Sequence, residues 1–202
     1  DPLELEIGYG LIPLVGEERA ENLLRRVTAI RRQMATELGL VLPKVRIRDN
    51  LRLQPQAYRA KIRGEEVARG ELMLDRCLAI PGSEAATEGR DDPTALLHGI
   101  TTTEPAFGLP ALWITEAEKG RAELMGYTVV DALSVLSTHL TEVIRKHAPA
   151  LLGRQEVQEM LDRVKRESPA VVEGLSPELL TLGEIQEVLR TLLRERVNIR
   201  DL

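Results

Sequence analysis

Hydrophobic and polar positions in the first third of the chain follow two different periods. Between residues 17 and 39 apolar residues recur at steps of three and four, which predicts an amphipathic helix that ends at Gly39. The residues of this apolar face are Leu23, Val27, Ile30, Met34 and Leu38. A stripe of this width needs a partner layer to bury it.

Strand-like alternation marks the segments on both sides of this helix. In 44–50 and again in 58–72 apolar residues alternate with basic ones, and Gly64-Glu65 marks a hairpin turn within the second segment. The apolar segment 5–15 contains two glycines and predicts a strand with an irregular end. The order strand, helix, strand, strand predicts a small α+β layer.

The middle of the chain differs in character. Residues 81–105 are rich in Gly, Pro, Thr and acidic residues, which predicts a long loop or a loosely structured insert. The apolar run 111–114 predicts a buried strand, and a short helix is expected over 116–125. A long helix is expected over 126–153.

Capping residues divide the C-terminal part into helices. Thr128 with Asp131 resembles a capping box for the long helix, although Asp replaces the usual Glu or Gln. A second helix is expected over 153–168, a short helical turn at 176–177, and a final helix from Thr181. The tail is therefore predicted to be all-helical and a separate unit.

Composition and charge exclude some classes of protein. The net charge of −5 gives no electrostatic support for a nucleic-acid partner. The single cysteine, Cys77, cannot form an internal disulfide, which favours a reducing compartment. No apolar run approaches the roughly 20 residues that cross a bilayer. Because the chain begins at Asp1 without Met and stops at Leu202, where another helix could follow, both ends look cut, and we expect membrane spans in the missing part of a longer protein.

Candidate catalytic chemistry is sparse, and no metal or other cofactor is expected. The three histidines, at 98, 139 and 147, lack metal-ligand spacing. Cys77 lies in the apolar run LDRCLAI and is interpreted as a buried structural thiol. Asp49 follows a strand and is interpreted as a turn residue. An enzyme that uses Asp49 or His139 is a third hypothesis, which a cleft joining these residues would support.

Aromatic residues are rare, and two of them lie in one segment. The chain has one phenylalanine, Phe107, and one tryptophan, Trp113, both within TEPAFGLPALWI (103–114). Trp113 follows an apolar strand pattern and is expected in the core. For Phe107 two interpretations stay open: a core residue, or an apolar side chain presented to a partner.

Six segments in series resemble the cytoplasmic domain of the large export-gate membrane protein of bacterial type III secretion. The segments are DPLELEIGYGLIPLV (1–15), KVRIRDNLRLQP (44–55), EPAFGLPALWI (104–114), GYTVVDALSVLSTHL (126–140), LLGRQEVQEMLDRV (151–164) and RERVNIRDL (194–202). The first and fourth resemble the flagellar branch of the family more than the virulence injectisome branch.

The resemblance implies a division of the chain into subdomains. Residues 1–75 and 132–151 would form a first α/β subdomain, with residues 76–131 inserted as a second. Residues 152–202 would form the helical start of a third, truncated subdomain. The family also implies membrane spans N-terminal to this part, a location at the cytoplasmic face of the bacterial inner membrane, and a nine-membered ring.

The resemblance further implies a site for export chaperone–substrate complexes, between the first two subdomains. The family motif Asp-Pro-Ala-Phe-Gly matches here with Glu104 in place of Asp, which keeps the charge but moves the carboxylate by one methylene. In the expected site Phe107 is the anchor, Leu109 and Ile80 are walls, and Glu104 and Thr138 are polar contacts. The complete set of implied partner-binding residues is Glu104, Phe107, Leu109, Thr138, Ile80 and Pro81.

The leading hypothesis is therefore a non-enzymatic docking platform for flagellar export, with the export ATPase complex among its further partners. The alternative is a structural, ring-forming module of a virulence injectisome. Exposure of Phe107 in a concave groove would favour docking, and full burial would favour the structural module.

Overall fold

Two four-stranded sheets are the framework of the protein. The computed structural model describes residues 1–17, 22–82, 97–174 and 180–200, and within them it contains eight strands and six α-helices. The α+β fold class expected from the alternation patterns is confirmed.

The first sheet has the order β2-β1-β3-β4. Its strands are β1 (Leu3–Ile7), β2 (Val45–Asp49), β3 (Ala57–Ile62) and β4 (Glu65–Glu71). β1 and β2 are parallel and are joined through helix α1 (Leu23–Glu37), whereas β3 is antiparallel to both of its neighbours. The order strand, helix, strand, strand predicted from the sequence is confirmed.

Glycine explains why the first apolar segment does not continue as a strand. β1 ends at Ile7, and Tyr9–Val15 forms a 3₁₀ helix in place of the expected irregular strand end. The amide of Gly8 donates to the carbonyl of Ala57 at 2.8 Å, and a side chain at Gly8 would collide with the backbone of Gln54. The chain must therefore pass close to the loop before β3, which only glycine permits.

The hairpin turn lies one residue earlier than expected. β3 ends at Ile62 and β4 starts at Glu65, so the two turn residues are Arg63 and Gly64, with φ of 51° and 86°. A two-residue hairpin turn with positive φ at both central positions matches the twist of the strands it joins. The expected Gly64-Glu65 turn was therefore wrong by one position.

The second sheet is entirely antiparallel and has the order β6-β7-β5-β8. Its strands are β5 (Cys77–Pro81), β6 (Gly99–Thr103), β7 (Pro110–Ile114) and β8 (Tyr127–Asp131). The expected strand at 111–114 is confirmed, and the short helix after it is a 3₁₀ turn followed by α2 (Lys119–Leu124). The loop expected over 81–105 is wrong at its C-terminal end, where β6 forms; residues 83–96 lie outside the described residues.

A strand replaces the first turns of the expected long helix. Residues 127–131 pair with β5 as β8, and helix α3 begins only at Ala132 and ends at Leu151. The expected capping box is therefore wrong: Asp131 is the N-cap residue, and its carboxylate accepts a hydrogen bond from the amide of Ser134 at 3.3 Å. The β-branched run Thr128-Val129-Val130 fits a strand better than a helix.

Three helices follow α3 in the described part of the chain. They are α4 (Arg154–Glu167), α5 (Pro169–Gly174) and α6 (Leu182–Arg194). The helix expected over 153–168 is confirmed, as is the start of the last helix, where Thr181 and Glu184 form a capping box. The turn expected at 176–177 lies outside the described residues. None of the helices in the described ranges has the length and apolar character of a membrane-spanning segment.

One hydrophobic cluster joins the sheets and the tail. Leu3 of the first sheet, Leu78 of the second, and Val157 and Leu193 of the tail helices belong to the same buried cluster. The tail helices therefore pack against the rest of the protein through a common core. The division into three subdomains stays a prediction.

A network of charges surrounds Glu6 on β1. Its carboxylate accepts hydrogen bonds from Asn50 at 2.8 Å and Arg59 at 2.5 Å, and it pairs with Lys61 at 3.0 Å. Burial alone would raise the pKa of Glu6, but the hydrogen bonds from Asn50, Lys61 and Arg59 together lower it to about 2. The charged form of Glu6 thus stabilises the first sheet.

Replacing this carboxylate is expected to remove a pH-dependent part of the stability. Glu6→Gln should lower the free energy of unfolding by about 2 kcal/mol at pH 7, because the network loses its central charge. Since the folded-state pKa is depressed, the stabilisation is present above the unfolded pKa of about 4.5 and disappears as pH falls towards 2. Urea unfolding at pH 7 and pH 3 measures the difference.

Glu4→Gln on the same strand is the matched control, because Glu4 pairs with Arg48 at the longer distance of 3.8 Å, in a partly exposed pair. Its effect should stay below about 0.5 kcal/mol. A Glu6→Gln deficit that is equal at both pH values would contradict the network's role.

Candidate partner-docking site

The loop between β6 and β7 is closed by its own backbone. The amide of Glu104 donates to the carbonyl of Leu109 at 2.7 Å, and the amide of Gly108 donates to the carbonyl of Glu104 at 2.9 Å. Gly108 has φ of +70°, a left-handed conformation that glycine adopts without strain. The loop 104–109 therefore has a defined shape.

The carboxylate of Glu104 lies inside this loop. One of its oxygens accepts from the amide of Ala106 and the other from the amide of Phe107, each at 2.8 Å. Only 3% of Glu104 is exposed. The sequence led us to expect Glu104 as a polar contact at the rim of the site; the structure instead places its carboxylate beneath the surface, with backbone partners.

The two rare aromatic residues have opposite environments. Trp113 is 3% exposed and belongs to the main hydrophobic cluster, so its expected place in the core is confirmed. Phe107 is 61% exposed and Leu109 is 45% exposed. An exposed phenylalanine on a closed loop favours the interpretation of Phe107 as a presented apolar contact.

Strand register brings two further predicted residues to the loop end of the second sheet. Ala79 of β5 pairs with Leu112 of β7 in an antiparallel arrangement, so Ile80 and Pro81 run towards the Pro110 end of β7. Ile80 and Pro81 are half-buried.

Thr138 is exposed on α3, one residue before His139. Helix α3 packs against β5 and β8 of the second sheet. Glu104 is thus buried within the loop, whereas the other five predicted residues are at least partly accessible.

Sequence reasoning did not find the buried pair of Tyr58 and His139. The hydroxyl of Tyr58 and Nδ1 of His139 share a hydrogen bond of 2.6 Å, and the rings meet edge to face at 5.7 Å. Gly70 on β4 leaves room for the hydroxyl of Tyr58, since a side chain at Gly70 would contact it. No local pattern signals the pair, because its members are 81 residues apart.

The pair lies within the electrostatic influence of Glu104. Burial raises the pKa of Tyr58, and the negative charge of Glu104 raises it further. Burial lowers the pKa of His139, and the charge of Glu104 opposes that change. The charge of Glu104 thus acts on the pKa of both groups in the same direction.

Other candidate chemistry is not assembled in the described residues. Cys77 is 4% exposed, and burial raises the pKa of its thiol, as expected for a structural cysteine. Among the described residues, no group of three or more His, Cys, Asp or Glu side chains could hold a metal ion. The described residues also form five clefts with volumes of about 250 to 680 Å³. Asp49, His139 and Phe107 line none of these five clefts.

The structure is thus an α+β scaffold with an exposed phenylalanine on a closed hairpin loop, and aromatic residues are enriched at protein interfaces. The chain matches the FHIPEP family over residues 1–202, and it belongs to that family. The resemblance drawn from the six sequence segments is confirmed.

Two relatives illustrate how the chain compares with full-length proteins. It is 54% identical over its whole length to the flagellar biosynthesis protein FlhA of Bacillus subtilis, of which it covers 29%. It is 45% identical to the flagellar biosynthesis protein FlhA of Escherichia coli, of which it covers 28%. The chain thus spans less than a third of the length of these relatives.

Solved structures share the fold at low identity. The Chlamydia pneumoniae CdsV protein superimposes with a TM-score of 0.79 at 22% identity, over 99% of this chain and 56% of CdsV. The nonameric SctV-C from EPEC gives a TM-score of 0.67 at 19% identity, over the whole of this chain and 56% of its own. At these identities the likeness establishes the fold alone.

Proposed function

We propose that this chain is a cytoplasmic docking platform of a type III protein export gate for flagellar assembly. It binds export chaperone–substrate complexes and passes the substrates to the secretion channel. The observation that carries the proposal is the exposed ring of Phe107 on a loop of fixed shape. An exposed, preorganised aromatic is the usual anchor for a partner helix, since little ordering entropy remains to be lost.

The family supports the export role, and sequence identity supports the flagellar branch. Identity reaches 54% with a flagellar biosynthesis protein but only 22% with the CdsV protein. The alternative, a structural ring-forming module of a virulence injectisome, would need Phe107 for packing, which its exposure disfavours.

The docking surface combines apolar contacts with a polar edge. Phe107 and Leu109 present apolar area at the loop, and Ile80 and Pro81 extend it along the end of β5. Thr138 supplies a hydroxyl on α3. An amphipathic chaperone helix would cover the apolar part with one face and leave its polar face in water.

The longer protein would place this platform at the cytoplasmic face of the bacterial inner membrane. Membrane spans would lie N-terminal to the chain, and nine copies would form a ring whose partners include the export ATPase complex. Two observations on relatives support assembly and partner binding: SctV-C from EPEC is nonameric, and CdsV has been solved in complex with CdsO.

Calorimetric titration with a purified flagellar export chaperone carrying its substrate tests the proposal. Thr138→Arg should weaken binding by about 10-fold or more, because a bulky charge enters the docking surface. Melting should change little, since Thr138 is exposed on α3.

Thr28→Arg is the matched control, because it makes the same change at an exposed position of α1. It should leave binding intact. Absence of any heat of binding with the wild-type protein, or equal binding by both variants, would sink the docking proposal.

A further inference from the structure

The loop 104–109 contains a buried charge, the carboxylate of Glu104, that docking alone does not explain. Burying a carboxylate is costly unless hydrogen bonds replace the water it loses. Glu104 recovers this cost through the amides of Ala106 and Phe107, which its two oxygens bind at 2.8 Å each. At 3% exposure, little of Glu104 is left for a partner to contact.

We propose that Glu104 is a positioning residue: its carboxylate fixes the backbone of the loop so that the ring of Phe107 points outward, and it makes no direct contact with the docked partner. This inference rests on the proposed docking function and assigns Glu104 a role in it that differs from that of the exposed residues.

The backbone hydrogen bonds of the loop explain why a carboxylate suits this position. Loop closure through Glu104 and Leu109 leaves the amides of Ala106 and Phe107 facing inward, where each needs an acceptor. A carboxylate has two acceptor oxygens and no donor, so it satisfies both amides at once. A side-chain amide has one oxygen and one NH₂ group, and the latter would face an N–H.

The inference also defines the chemistry of the recognised partner. Because the loop's only charge is turned inward, the surface at Phe107 and Leu109 offers apolar area without a charge. The partner segment should therefore contribute apolar side chains at this point and not a basic residue to pair with Glu104.

Amide hydrogen exchange of the free protein, followed by NMR, tests the inference without any partner. The Phe107 amide belongs to an exposed residue, yet it should exchange at least about 10-fold more slowly than an unstructured amide, because the carboxylate of Glu104 holds it. Glu104→Gln should abolish most of this protection. Glu104→Asp should retain it, since an aspartate side chain can accept from the amides two and three residues ahead in a turn.

Binding of the chaperone–substrate complex should follow the same order. The Asp variant should bind within about threefold of wild type, and the Gln variant should bind about 10-fold more weakly. Exchange of the buried Leu78 amide serves as the folding control, because Leu78 lies in the core of the second sheet. If the Gln variant does not fold, the wild type and the Asp variant decide the question.

Two outcomes would overturn the inference. One is a wild-type Phe107 amide that exchanges at the unstructured rate. The other is a Gln variant that loses binding while the Phe107 amide stays protected, since Glu104 would then act on the partner. Failure of the wild-type protein to bind any chaperone complex would instead remove the docking function, and the exchange data would still report on the role of Glu104.

Discussion

Phe107→Ala is expected to weaken binding of a flagellar chaperone–substrate complex by at least about 30-fold, equivalent to about 2 kcal/mol. The ring is 61% exposed in the free protein, so its removal takes contact area from the partner and little from the core. The melting temperature should therefore fall by less than about 2 °C. Calorimetric titration and thermal unfolding of the same two proteins measure both effects.

Leu51→Ala is the matched control for this experiment. Leu51 is 77% exposed, in the turn between β2 and β3, and it is not among the predicted partner-binding residues. Its replacement should leave affinity and melting unchanged. A Phe107→Ala protein that binds normally would remove Phe107 from the site, and one that loses roughly 3–5 kcal/mol of stability would show it to be a core residue.

Trp113→Ala is expected to have the opposite signature, with a loss of roughly 3–5 kcal/mol in the free energy of unfolding. Trp113 is 3% exposed on β7, in register with Leu78 on one side and Ile100 on the other. Its removal would leave a cavity in the main hydrophobic cluster. Urea unfolding monitored by circular dichroism measures the loss without relying on the tryptophan's own fluorescence.

Trp113→Phe tests whether the loss in the free energy of unfolding comes from the lost side-chain volume. It keeps an aromatic ring in the core and should cost less than the Ala variant. Below the unfolding transition, the Phe variant should still bind the chaperone complex, because Phe107 is untouched. A loss of under about 1 kcal/mol in Trp113→Ala would contradict the placement of this residue in the core.

The first sheet could be predicted from local sequence patterns. Alternation in 44–50 and 58–72 and the helical period in 17–39 predicted which faces are buried. The structure confirms these elements, except that the helix begins at Leu23 and ends at Glu37, and residues 18–21 lie outside the described residues. The sequence predicts a helix for the residues of β8, because these five residues directly precede a long apolar helix and fit its period. These residues form a strand because they pair with β5, and no local sequence pattern indicates this pairing.

The candidate site could be predicted only in part from the sequence. The resemblance named its residues, and the exposure of Phe107 agrees with the role given to it. The interior position of Glu104 could not be read from the chain, because it depends on the closure of a loop around two amides. The Tyr58–His139 pair was hidden for a similar reason, since it joins residues from different elements.

The bond between Tyr58 and His139 also has a consequence for the order of events during synthesis. Its two ends are 81 residues apart, and α3, which carries His139, packs against α1 and β3. At a translation rate of about 5–20 residues per second, β3 leaves the ribosome roughly 4 to 16 s before this part of α3. The nascent first sheet must wait that long for the helix that completes it, while the whole second sheet is being made.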